Sequence, residues 1–164
     1  MKKLLVALLM VLPLSVSAQK FGHFDSDAVL QALPEYSVAQ KELETKTKTA
    51  EEELSRMQEE LKTKADDYQK NQASLPEDIQ KRREQELMEI NQRLEEFYNK
   101  TQQDLQQYRM QKMQDLQQKI LKAVEEVGMA GGYVYILDVN SLPYISKTLS
   151  TDVTSQVKTK LGIK

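Results

Sequence analysis

EEELSRMQEELKTKADDYQKNQASLPEDIQKRREQELMEINQRLEEF, residues 51–97, is a charged, amide-rich stretch with a thin apolar thread running through it. Before the central Ser74-Leu75-Pro76-Glu77 the thread is Leu54, Met57, Leu61, Ala65 and Tyr68; after it, Leu87, Ile90, Leu94 and Phe97. Steps of three and four return residues to one side of an α-helix, so each half predicts an amphipathic helix with a narrow seam. Outward, the thread begins at Leu43 and Ala50 in the first half and continues through Leu105, Tyr108, Met113, Leu116, Ile120, Val124 and Val127 in the second. Such a seam is too narrow to close a globular core, but it zips against one partner helix as a coiled coil. The turn has its own chemistry. Ser74 is placed to cap the second helix, Pro76 suits its first turn, and Glu77 completes an S-x-x-E capping box. The reading is a long antiparallel helical hairpin over 34–127 with its tip near 74–77. At about 1.5 Å per residue its arms reach on the order of 55 to 75 Å.

The second arm changes period. Leu87 and Leu94 are seven apart, whereas Leu105, Leu116 and Val127 are eleven apart, so the arm should not supercoil uniformly. Its later half is rich in glutamine: Gln102, Gln103, Gln106, Gln107, Gln111, Gln114, Gln117 and Gln118. A solvated face is the plain reading of these residues. The functional reading is an uncharged polar lining that makes weak, non-directional contacts to a partner chain.

On either side of the hairpin the pattern shortens. Lys20–Asp25 is short and aromatic-rich and predicts a buried strand; Asp25 or Ser26 then caps a short helix ending near Leu33. Pro34 either kinks that helix or opens the next one from its first position. Gly128, Gly131 and Gly132 are expected to stop the second arm. Tyr133–Val139 is the strongest strand signal in the chain, and Leu142–Ser146 reads as a short edge strand that tolerates Pro143. Thr151 or Asp152 is expected to cap a last helix carrying Val153, Val157 and Leu161, with Gly162 ending it. These pieces hold too little apolar surface to bury a core alone. Cover for the strand comes from the arm bases or from other copies of the chain, and self-association is the favoured reading. Residues 19–33 and 128–164 then form a β-rich body.

Composition narrows the function. The chain has no Trp, no Cys and three Phe in 164 residues, with a formal charge of −2. That balance lacks the basic stripe a nucleic-acid binder needs. Met1-Lys2-Lys3, the apolar run Leu4–Leu14 and Val16-Ser17-Ala18 read as a cleaved export signal over 1–18, leaving a mature start near Gln19. Without Lys2 and Lys3 the chain has 21 basic against 25 acidic residues, a formal charge of −4. No catalytic, cofactor or metal-ligating residues stand out. His23 lies inside the first strand, where a structural role is the simpler reading, and no phosphate loop or nucleophile elbow occurs. Lys81-Arg82-Arg83 near the tip could touch an acidic partner or, weakly, lipid headgroups, but the neighbouring Glu77, Asp78, Glu84 and Glu86 favour salt-bridged surface.

Phe21-Gly22-His23-Phe24-Asp25, the Glu/Lys/Gln hairpin, Tyr133–Asp138 and Asp152-Val153-Thr154 follow one another in an order that closely resembles the Skp (OmpH-like) periplasmic chaperones. The resemblance covers essentially the whole mature chain; the Ser-Ala-Gln junction and Leu161-Gly162-Ile163-Lys164 are similar to members from Bacteroidetes. It implies a mainly α fold with a small β core, in which long coiled-coil hairpins project, jellyfish-like, from a β-sheet trimerisation body. Phe21, Phe24, Val134 and Ile136 are the expected trimer-core residues, and no client-contacting residues are assigned. It also implies a homotrimer that holds unfolded outer-membrane β-barrel precursors in the periplasm without ATP, cofactor or nucleic acid. The alternative is a structural coiled-coil protein of the envelope that binds no unfolded client. One departure stands out. The best-known members are strongly basic, so their electrostatic steering and lipopolysaccharide binding are not carried over to this acidic chain, and client contact is expected to rest on apolar and amide groups.

Overall fold

The computed structural model describes residues 19–163. In chain order it comprises β1 (Lys20–Phe24), α1 (Ser26–Ala32), α2 (Pro34–Asn71), α3 (Glu77–Gly131), β2 (Tyr133–Asp138), β3 (Ser150–Asp152) and α4 (Thr154–Lys160). The helix α2 has 38 residues and α3 has 55, so they extend about 57 and 80 Å. They pack antiparallel along their length and form the expected hairpin. The expected export signal lies outside the described residues.

Local chemistry explains most boundaries. The Asp25 carboxylate accepts from Ala28 N at 2.9 Å and caps α1, while Pro34 opens α2 in its first turn. Two expectations at the hairpin tip are corrected. Pro76 itself holds the N-cap position, without a side-chain cap, and Ser74 Oγ donates backwards to the Asn71 carbonyl at 2.7 Å. A 3-10 turn over Gln72–Ser74 reverses the chain, and Gln80 Nε2 secures it by donating to the Leu75 carbonyl at 2.9 Å. Of the three glycines expected to stop α3, only Gly132 does so, at φ 66°. Gly128 and Gly131 continue the helix, and Gly131 is required there: an added Cβ would lie 2.3 Å from the Tyr133 ring.

The sheet is small and wholly parallel, in the order β2-β1-β3. The whole hairpin is the crossover between β1 and β2. Leu142–Ser146 is not a strand. After a 3-10 turn at Val139–Ser141 the chain passes over irregularly, and the third strand forms later, at Ser150–Asp152. Pro143 has no N–H to give a ladder, and Ser150–Asp152, not Leu142–Ser146, is the segment that pairs with the second edge of β1.

All the helices lie on one face of this sheet. Phe24, Val29, Leu33, Leu116, Ile120, Ala123, Val127, Val153 and Val157 form one buried cluster. The arm base thus covers one face of the sheet, and a single chain closes a core on that side. Beyond that root the arms bury little: Ile90, at 1% exposure, is the one fully buried apolar residue of the distal arm.

Candidate functional site

Three sequence motifs far apart in the chain meet at the C-terminal ends of the strands. Ser26 Oγ donates to Asp138 at 2.6 Å, and Asn140 Nδ2 donates to Asp25 at 3.2 Å. Asp25 N donates to Thr154 Oγ1 at 3.0 Å, and Asp152 accepts from Thr154 N at 2.9 Å. Backbone N–H of Ala28 is the main cause holding the Asp25 carboxyl below its ordinary range; Thr154 does the same for Asp152. Each polar group here has its partner in another element, so the corner is a fastening for the sheet and its helices. Among the described residues no group of His, Cys, Asp and Glu could hold a metal. His23 faces Ser150, with Nδ1 and Oγ 2.7 Å apart, in keeping with its expected structural role.

The opposite face of the sheet carries no helix. Phe21 pairs with Tyr135 across the ladder, and their rings stack 6.4 Å apart at 7°. Leu137 continues this face, and Val134 bulges out beside it where the register shifts. Phe21, Val134, Tyr135 and Leu137 are 40, 45, 61 and 47% exposed. Parallel sheets are normally covered on both faces, so four large apolar residues on an open one mark a surface awaiting cover. The four expected core residues therefore divide. Phe24 is buried in the chain's own core and Ile136 packs against it, whereas Phe21 and Val134 open outward. Tyr135 and Leu137, which the sequence reading did not single out, stand on the same open face. Their signal was the strand's period of two, once Phe21 is placed on the outer face.

The arms are held together by side chains reaching between them. Lys119 bonds Glu35 and Lys64 bonds Glu86, and both carboxyls are thereby held below the ordinary range. Tyr108 donates to Glu42, which pushes its hydroxyl up to about 12, while Lys46 and Lys112 sit 5.2 and 5.5 Å from its ring centre. Beside this clamp the helices part around a cavity of 340 Å³ lined by Tyr36, Leu43, Met113 and Leu116. At the tip, Lys81 pairs with Glu77 at 2.8 Å and Arg83 with Glu86 at 2.9 Å, so two of the three basic residues are engaged on their own helix. No helix among the described residues is long and apolar enough to cross a membrane.

A long two-helix arm rooted on a small parallel three-stranded sheet defines the architecture of the chain. The structure superposes with a TM-score of 0.76 on an OmpH-like protein of Caulobacter crescentus, covering 87% of this chain and 83% of that one at 14% identity; at that identity the likeness is one of fold. The family model described as outer membrane protein (OmpH-like) matches residues 20–161. The chaperone protein Skp of Yersinia enterocolitica is 29% identical over 146 residues, 88% of this chain and 89% of its own. The chain belongs to the OmpH-like family, a family of chaperones and not of enzymes. Membership supports a chaperone role in the periplasm.

Proposed function

We propose that this protein is an ATP-independent periplasmic holdase that binds unfolded outer-membrane β-barrel precursors and keeps them from aggregating before membrane insertion. It works as a homotrimer, with Phe21, Val134, Tyr135 and Leu137 covered by the equivalent faces of its partners and the hairpins enclosing a shared space. The observation that carries the reading is the division of labour in the chain. One end closes a core and presents an open apolar sheet, while the other is nearly all solvent-facing helix reaching tens of ångströms away.

Physical chemistry links these parts to holding. A barrel strand in water exposes apolar side chains and unpaired backbone, the ingredients of edge-to-edge aggregation. Arms offering many weak contacts shield it without fixing a conformation, and binding the unfolded state opposes premature folding. Release then needs only a lower-energy destination, the membrane.

The test is native mass spectrometry of the protein purified from the periplasmic fraction, alone and after mixing with a urea-diluted barrel protein. A trimer that gains one barrel mass and suppresses its aggregation is expected. A trimer indifferent to the barrel would favour an envelope scaffold, and a monomer would undo the assembly.

A further inference from the structure

On α3 between Gln102 and Leu121, side chains at three- and four-residue spacing give one continuous row: Gln103, Gln107, Met110, Gln114, Gln117 and Leu121. All six are exposed, Met110 at 59% and Leu121 at 61%. The charged residues of the same segment fall elsewhere on the helix. Lys112 and Lys119 turn towards α2, where they meet Glu42 and Glu35, and Asp104 pairs with Lys100 at 2.8 Å. Tyr108, which bonds Glu42, lies on that same α2-facing side. The row thus runs along the back of α3, away from α2, for about 27 Å without a charge. Elsewhere the exposed helix surface is dense in Glu and Lys, so a neutral strip this long is not what solvation alone selects.

We propose that this strip is the surface that grips the unfolded client, through the backbone amides and uncharged side chains of an extended segment. The inference rests on the holdase reading and deepens it. Each glutamine offers a donor pair and an acceptor that match unpaired peptide groups of an extended chain. Covering them strips no charge of its water, which is the expensive part of burying a polar surface. Met110 adds a flexible, polarizable contact that adapts to different apolar side chains. A second copy of this chain is a poor occupant. Only Met110 and Leu121 are apolar and they are eleven residues apart, so no seam exists for another helix to zip into. The strip offers about 270 Å² at helix width, well short of the roughly 800 Å² per partner of a stable interface. A loosely held, sliding segment is what such a surface suits.

The test compares two triple variants of the full chain, each adding three negative charges to exposed helix positions. Gln107→Glu/Gln114→Glu/Gln117→Glu charges the strip; Thr49→Glu/Ser55→Glu/Thr63→Glu charges α2. Helix content by circular dichroism and native mass are checked, and binding of a urea-diluted barrel protein is titrated by fluorescence. The strip variant should bind about tenfold more weakly, with the α2 variant close to wild type. A photo-crosslinking residue at position 114 should capture the client, and one at position 55 should not. Equal binding by the two variants, or equal crosslinking, overturns the strip while the holdase reading stands. If the wild type binds no client, the holdase reading fails and the strip with it. A strip variant that loses its native mass would show a partner copy on the strip and overturn the inference.

Discussion

Ile90→Ala should open the distal arm while leaving the body intact. Ile90 is 1% exposed, yet it lies in α3 far along the sequence from the body cluster, which begins on that helix at Leu116. The truncation removes three carbons from a seam only two helices wide. Such a seam collapses more easily than an enclosed core, so the cost should fall at the low end of the large-to-small range, about 2 kcal/mol. Stability need not be shared across a structure, and an arm tied to the body only through its root opens on its own. The assay is native-state hydrogen exchange followed by mass spectrometry. Amides in the distal parts of α2 and α3 should lose roughly thirtyfold in protection, the factor that about 2 kcal/mol implies, with β1 and α1 unchanged. A uniform loss over arm and body would refute the reasoning, because it would mean that the hairpin and the sheet unfold as one unit.

Gly22→Ala places a Cβ 3.0 Å from Ile136 and 3.2 Å from Tyr133, so the melting temperature should drop by an amount corresponding to about 1–3 kcal/mol, measured by calorimetry. At Gly132, where φ is 66° and nothing crowds the site, Ala should cost about 1 kcal/mol in urea unfolding through the backbone alone, and Asn less. Acidification should loosen the arms. Glu35 and Glu86 have folded pKa values below the ordinary 4.5 because of Lys119 and Lys64, so their stabilisation is complete above pH 4.5 and is lost as pH falls through the lower folded values. Distances between spin labels on the two arms should widen there; an unchanged distance would mean that the seam holds without the ion pairs. Tyr135→Asp combined with Leu137→Asp should release monomers that keep a folded core, detected by native mass, since both residues lie on the open face.

The hairpin was legible in the sequence because an amphipathic helix writes its period into local spacing, and Pro34, Pro76 and Gly132 punctuate its ends through backbone geometry that needs no distant partner. Asp25 was legible as a cap for the same reason. The finer turn chemistry was not: Ser74 could serve either helix, and only the packed tip decided that it bonds Asn71 backwards. The third strand was misplaced because β-pairing is non-local. Leu142–Ser146 has reasonable strand composition, but Ser150–Asp152 is the segment that reaches the free edge of β1. Sequence alone determined that this chain is two long helices bounded by short strands, since those elements follow from residue spacing and backbone preference. Only the tertiary structure decided which apolar residues are used up inside and which are left over. Phe24 and Ile136 meet the roots of the helices, and Phe21 and Tyr135 do not, because the parallel sheet has two faces and the one chain has helices for only one of them.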